Sequence, residues 1–339
     1  VKDVIAGIIV AIIALPLSIA LALASGVTPE KGIYTAITAG FVISFLGGSR
    51  VQIAGPTAAF ATIVAGIVAK NGMDGLIIAT LLAGVILILM GFLRLGNLIK
   101  FIPYTITTGF TSGIAVTIFI GQIKDFLGLT IVSEEPLIET MDKLKAVFQF
   151  ISTTNVQALL VGVISLLILI LWQYLPGFCK KIPPSLIAVL VGSAMVALLN
   201  MNVNTIGDLY EISNKLPSIS LPAFSLKTVQ NVLPDAFTIA ILAAIESLLS
   251  CVVADSMVNS RHRSNMELIA QGAGNITSAL FGGIPATGAI ARTAANVKNG
   301  GRTPIAGMVH SVTLLLILVV LMPYAALIPM PTIAAILFM

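Results

Sequence analysis

The chain has 339 residues, 58% of them hydrophobic and only 9% charged, with a mean hydropathy of +1.07. Soluble chains carry about 25% charged residues, so this is the composition of a membrane protein. The net charge of +4 comes without a basic run, which excludes nucleic acid as a partner, and Cys179 and Cys251 lack the spacing of a metal site or a disulfide framework.

Charge-free windows such as 4–29, 101–123 and 303–339 recur along the chain. A membrane span needs roughly 20 apolar residues, so about ten to twelve segments fit. Segment 1 covers 3–24 and is read as a retained span, since only Lys2 precedes it and no Ala-x-Ala cleavage context follows. Pro16 in its middle removes one backbone hydrogen bond, tolerable where neighbours take up the freed carbonyl. Segment 2 covers 33–47 and runs into Gly47-Gly48-Ser49-Arg50. A polar, glycine-containing passage follows, and segment 3 is a short helix from Pro56 to about Ala69, opened by proline at its first position. Segments 4 and 5 cover 75–93 and 102–123. A mixed-charge loop, 124–155, carries Glu134, Glu135, Glu139 and Asp142. Segments 6 and 7 cover 156–175 and 184–200, and a polar connection, 201–230, leads to segment 8 at 233–256 and segment 9 at 266–281. The stretch Phe281-Gly-Gly-Ile-Pro-Ala-Thr-Gly-Ala-Ile-Ala-Arg292-Thr-Ala-Ala-Asn296 is too polar and short for a full span. It reads as a glycine-loosened approach to the membrane interior, then a short helix, segment 10, from near Pro285. Segments 11 and 12 cover 303–320 and 323–339.

With the N-terminus in the cytoplasm, Lys2, Arg50, Arg94, Lys100, Lys180, Lys181, Arg261, Arg263, Lys298 and Arg302 fall inside. Five of the outside lysines lie in the two long loops, which count for less. The two halves echo each other. Ala39-Gly40, Gly47-Gly48 and the short helix at Pro56 match Ala273-Gly274, Gly282-Gly283 and the short helix at Pro285. The copies are seven segments apart, an odd offset, so they have opposite orientations. Two Gly/Pro-interrupted helices at corresponding positions point to a transport site at the midplane. Their N-termini carry unpaired N–H groups and the positive dipole end, which suits an anion.

Glu246 lies mid-segment 8, eleven residues from Asp235 and nine from Asp255. An ionisable residue at that depth is costly and functional by default; the plainer reading is a structural carboxylate paired with a neighbouring helix. Ser247 and Ser250 lie beside it. Arg292 either lends positive charge to a bound anion, or snorkels, or pairs with Glu246. The Thr57 and Thr287 hydroxyls cap the short helices or touch substrate. Ala58, Ala59, Gly288 and Ala289 either let substrate approach backbone N–H groups or simply permit close helix packing. Phe60 is read as packing and His262 as a solvated loop residue. No HExxH or GxSxG motif is present, no catalytic or metal-binding residue is assigned, and no cofactor is expected.

The chain resembles the SulP (sulfate permease) family of anion transporters, and within it a bacterial branch that includes a C4-dicarboxylate transporter. The motifs are Pro29-Glu-Lys-Gly32-Ile-Tyr34, Gly48-Ser-Arg50 leading to Ala54-Gly-Pro56-Thr-Ala-Ala-Phe60, Gly109-Phe-Thr-Ser-Gly113 and Gln122-Ile-Lys-Asp-Phe126, then Glu246-Ser-Leu-Leu249, Gln271-Gly-x-Gly-Asn275, and Gly282-Gly283 through Ala291-Arg-Thr-Ala-Ala-Asn296. The resemblance implies an all-α polytopic membrane protein with seven-plus-seven inverted repeats, half-helices at segments 3 and 10, and about 12 segments present here. It implies a core domain from 1–100 and 231–321 and a gate domain from 101–230 and 322–339, with segments 13–14 and a STAS domain absent. Substrate would lie between the starts of segments 3 and 10, at Thr57, Ala58, Ala59, Thr287, Gly288, Ala289 and Arg292. Pro16 and Ser250 would help from segments 1 and 8, and Glu246 would couple protons. Where many eukaryotic relatives have Pro-Gln and Tyr, this chain has Pro16-Leu17 and Leu21, which favours a bacterial symporter. Related bicarbonate carriers place aspartate at the Glu246 position for sodium, so glutamate favours protons. The expectation is a homodimeric, elevator-type secondary transporter of C4-dicarboxylate or sulfate in the bacterial inner membrane, with the lipid bilayer as its surroundings. The alternatives are a sodium–bicarbonate symporter, a nucleobase–cation symporter of the same fold, and an anion channel or non-transporting anion sensor.

Overall fold

The computed structural model describes residues 1–97, 104–132, 139–175, 182–213, 215–219 and 221–339. Lys100, Glu134, Glu135, Cys179, Lys180 and Lys181 lie outside the described residues. In chain order the elements are α1 (Lys2–Ala24), α2 (Pro29–Leu46), β1 (Ala54–Gly55), a 3-10 turn (Ala58–Phe60), α3 (Ala61–Phe92), α4 (Tyr104–Leu127), α5 (Thr140–Gln149), α6 (Val156–Leu171), α7 (Pro184–Leu198) and α8 (Ile206–Leu209). After these come α9 (Leu226–Val258), α10 (Ser264–Leu280), β2 (Thr287–Gly288), α11 (Ile290–Lys298), α12 (Ile305–Leu321) and, after a 3-10 stretch (Met322–Leu327), α13 (Met330–Phe338). Among the described residues, four helical stretches are long and apolar enough to cross a membrane: Lys2–Ala24, Ala58–Phe92, Leu226–Val258 and Ile305–Leu327. The apolar helices α6 and α7 are shorter.

The chain divides into two compact units, Val1–Thr111 with Lys215–Val319, and Ser112–Asn214 with Val320–Met339. In the first, α3, α9 and α10 enclose a core that includes Phe60, Val64, Leu76, Leu87, Ile239, Leu248 and Leu268. Lipid tails are as apolar as leucine, so the helices gain little from the hydrophobic effect and rely on close packing. Glycine supplies it. A Cβ on Gly84 of α3 would stand 2.8 Å from the Gly272 carbonyl of α10, and one on Gly272 would stand 2.9 Å from the Ile88 nitrogen. Gly91, two turns beyond Gly84, meets the Asn265 carbonyl in the same way. Gly72, at φ 65° and ψ −169°, breaks α3 into a short first part and a long second part. Those parts match segments 3 and 4 of the sequence reading.

The second unit packs α6, α7 and α13, with Leu169, Ala188, Ala335 and Ile336 at their contact and a Ser165–Thr332 hydroxyl pair at 2.9 Å. Segment 12, read over 323–339, carries Pro323, Pro329 and Pro331. It is interrupted at Pro329: Ile206 N–H donates to the Ile328 carbonyl at 2.9 Å and Met330 N–H to the Asn204 carbonyl at 2.9 Å, around a Thr205–Pro329 bridge. Pro329 has no N–H, and the extended pairing satisfies its neighbours better than a broken helix would. Helices α5 and α8 lie in the two connections read as loops, and segment 8 starts earlier than expected, at Leu226, running through Pro234.

Gly272→Leu should overpack the α3–α10 crossing at a cost of about 1–3 kcal/mol or more. The check is thermal unfolding of detergent-solubilised protein. A melting temperature equal to wild type would show that the helices do not need this approach.

Candidate functional site

Residues 47–57 and 281–289 are rich in Gly, Pro and Ala, so neither forms a helix, and both sit among buried elements. Backbone polar groups in such surroundings need partners within the protein. The two stretches supply them to each other: β1 and β2 pair antiparallel, Ala54 opposite Gly288 and Gly55 opposite Thr287, and Ala289 N–H donates to the Ile53 carbonyl at 2.9 Å. From β1 the chain runs into the 3-10 turn and α3, and from β2 into α11. Because the strands are antiparallel, these helices leave the pair at opposite ends, each with its N-terminus toward it.

Side chains suspend both strands. The Asn275 amide brackets Ala286, accepting from its N–H at 2.9 Å and donating to its carbonyl at 2.8 Å. Thr35 Oγ1 accepts from Ile284 N–H at 2.7 Å, and Ser278 Oγ donates to the Ile284 carbonyl at 2.7 Å. On the other strand, Ile53 N–H donates to Thr293 Oγ1 at 3.1 Å and Asn296 Nδ2 to the Val51 carbonyl at 2.9 Å.

The sequence reading started the short helices at Pro56 and Pro285. Both starts are later, at Ala58 and Ile290, because strand pairing holds the prolines in the extended approaches. Thr287 and Gly288 are therefore strand residues, and the N–H of Ala289, expected in an anion cradle, is taken by Ile53. The free first-turn N–H groups of this half begin at Ile290. Neither threonine caps its own helix: Thr57 Oγ1 donates to Glu246 Oε2 at 2.8 Å, and Thr287 Oγ1 to the Ala243 carbonyl at 2.9 Å. Thr57, Ala58, Ala289 and Glu246 are half-buried, whereas Ala59, Thr287, Gly288, Ser250 and Pro16 are buried. Ser250 Oγ stands 3.4 Å from Thr293 Oγ1.

Arg292 is 1% exposed. Its Nη2 donates to the Pro56 carbonyl at 2.8 Å, while Nε and Nη1 make no hydrogen bond among the described residues. It neither snorkels nor, among the described residues, forms an ion pair with Glu246. Its Nη1 abuts Gly55, where no Cβ would fit, so the guanidinium sits behind β1. His310 of α12 is fully buried, with neither ring nitrogen hydrogen-bonded among the described residues. His262 is not a solvated loop residue: Nδ1 lies 2.7 Å from Asp255 Oδ2, and Nε2 3.0 Å from Ser264 Oγ. Phe60 is buried in the core, as expected.

Glu267, which no motif in the sequence singles out, is 0% exposed. Oε2 accepts from Gly48 N–H at 2.9 Å and Ser49 N–H at 3.2 Å. Oε1 accepts from Gln52 Nε2 at 2.7 Å, Ser247 Oγ at 3.0 Å and Gln271 Nε2 at 2.8 Å. In sequence Glu267 looks like an acid complementing the dipole at the start of segment 9. Its one distinguishing signal is that the segment carries no other charge.

A mostly helical chain with two breaks that pair near a half-buried carboxylate has the architecture of a polytopic membrane transporter. A family model described as the sulfate permease family matches residues 1–339. The chain is 45% identical over 338 residues to a Bacillus subtilis protein, YvdB, named as a candidate sulfate transporter, covering 99% of this chain and 63% of that one. It is 34% identical over 349 residues to the bicarbonate transporter BicA of Picosynechococcus, covering 99% and 60%. The transmembrane domain of a cyanobacterial BicA superposes with a TM-score of 0.89 at 30% identity, over 99% of this chain and 87% of that one. SLC26A9 shares the fold, with a TM-score of 0.88 at 21% identity, over 99% and 56%. The chain belongs to the sulfate permease family, whose members matched here are transporters rather than enzymes, and it spans about three-fifths of the length of these curated relatives.

Asn275→Leu would leave both backbone groups of Ala286 unpaired, at about 1–3 kcal/mol each. Thermal unfolding of the solubilised variant should begin well below that of wild type, whereas Asn275→Gln should fall between. Equal unfolding of Asn275→Leu and wild type would rule out this anchor.

Proposed function

We propose that the chain is the membrane domain of a secondary active transporter of small anions, sulfate or C4-dicarboxylate, working by proton-coupled symport. The observation that carries this reading is the Thr57–Glu246 hydrogen bond of 2.8 Å, which sets a carboxylate beside the start of a half-helix. The anion would meet the first-turn N–H groups near Ala58 and Ile290, whose partial positive charge favours it. Arg292, buried behind β1, would add long-range positive field without touching substrate. A negative charge on Glu246 opposes an anion at this place, and a proton removes it, so proton and anion bind with positive coupling.

The core domain (1–100 and 231–321) would carry the site, and the gate domain (101–230 and 322–339) would complete the translocation unit by elevator-type alternating access. A homodimer in the bacterial inner membrane, N-terminus inside, is the assembly that fits this reading. Sodium–bicarbonate symport is the second reading, favoured by the BicA relatives at 34% identity.

Uptake of radiolabelled sulfate and succinate into proteoliposomes, driven by an inward proton gradient, tests the proposal. Glu246→Gln should abolish the response to the gradient while anion binding stays measurable. Uptake that keeps its pH dependence in the variant would remove Glu246 from coupling. Uptake that follows sodium and carries bicarbonate would select the second reading.

A further inference from the structure

Glu267 does not touch the proposed substrate position, yet its carboxylate gathers five donors from four places. These are the turn after α2 (Gly48 and Ser49), Gln52 leading into β1, and Ser247 and Gln271 on α9 and α10. Each donor is electrically neutral. A buried carboxylate held by neutral donors is costly to place and strongly oriented once every lone pair is used. Its partner Gln52 is itself held by three side-chain hydrogen bonds. Nε2 donates to Glu267 Oε1 at 2.7 Å and to Ser247 Oγ at 2.8 Å, and Oε1 accepts from Cys251 Sγ at 2.9 Å. The same amide lies close against Gly288, where a Cβ would collide with it. Gln52 thus reaches from the leader of β1 to β2, α9 and α10, and the carboxylate of Glu267 dictates which way its amide points. Ser247 is the immediate neighbour of Glu246 on α9.

We infer that Glu267 is a positioning residue for transport: by orienting Gln52 and Ser247 it fixes the strand pair and the helix that presents Glu246. The inference rests on the proposed transport role of that site. Replacing the carboxylate with an amide puts a donor where five donors converge, so Gln52 loses its single orientation while the shape of the cluster changes little.

The test compares Glu267→Gln, Gln52→Ala and the double variant by radiolabelled sulfate uptake in proteoliposomes, reading KM and the maximal rate separately. Each single variant should raise KM by about tenfold or more, and the double variant should be no worse than the worse single one, since Glu267 acts through Gln52. In a Cys179→Ser background, Glu267→Gln should also increase labelling of Cys251 by a membrane-permeant maleimide, because the thiol loses its ordered acceptor. Lower thermal stability with an unchanged KM, or effects on KM that add, would overturn the positioning role and leave a structural one. Should Glu267→Gln fail to fold, Gln52→Ala and Ser247→Ala still decide, since an unchanged KM in both would overturn it. Wild-type protein without saturable uptake of sulfate, bicarbonate or succinate would overturn the transport reading itself. The Cys251 labelling does not depend on transport, and unchanged labelling would overturn the orientation of Gln52.

Discussion

Two residues paired with two others, Ala54–Gly55 with Thr287–Gly288, are the constraint on which the site depends. A helix satisfies its own backbone, but a segment that stops being helical in apolar surroundings must find partners elsewhere. Here each break is the other's partner, which ties together stretches more than 230 residues apart. Neither could be extended alone without stranded N–H and C=O groups. The pairing also sets the direction in which α3 and α11 leave, and so makes two half-helices into one site. The same solution recurs in the second unit on a smaller scale, where Thr205 bridges Pro329.

The strand pair is held by groups suited to backbone recognition. Asn275 offers both donor and acceptor to Ala286, Thr35 and Thr293 take single N–H groups, and Glu267 takes two at once. Each carries an anchoring bond from a helix to a non-helical stretch, so the rigidity of α2, α10 and α11 is passed to the strands and their approaches. Glycine completes the arrangement. Gly55 leaves room for Arg292 and Gly288 for the Gln52 amide, and in both places a side chain would displace a charged or amide group from its seat.

Much of this was legible in the sequence. The repeated Gly-Gly and Pro signals placed two interrupted helices at the right stretches, and the isolated Glu246 marked the carboxylate that Thr57 meets. The helix starts were not legible, because proline opens helices and strands alike, and a strand of two residues has no periodicity to detect. Its partner lies in the other half of the chain, so no local pattern announces it. Glu267 was hidden for a related reason: an acid in a first helical turn usually faces water, and only the fold turns this one toward Gln52. His262 read as a loop residue because its partner Asp255 closes the preceding helix seven residues earlier.

The charges divide the site into a buried part and an accessible part. Arg292 is shut behind β1 with one hydrogen bond to Pro56, and at that depth solvent screens its field weakly. Glu246 is half-buried, and under the proposed reading it is the group that takes up and releases the coupled proton. Helix N-termini supply roughly half a positive charge each and do not distinguish one small anion from another. Selectivity under the proposed reading therefore falls to the volume left by Thr57, Ala58 and Ala289 and to the charge on Glu246. A dianion gains more than a monoanion when that carboxylate is neutralised, so on the proposed reading the coupling proton would also favour the more highly charged substrate.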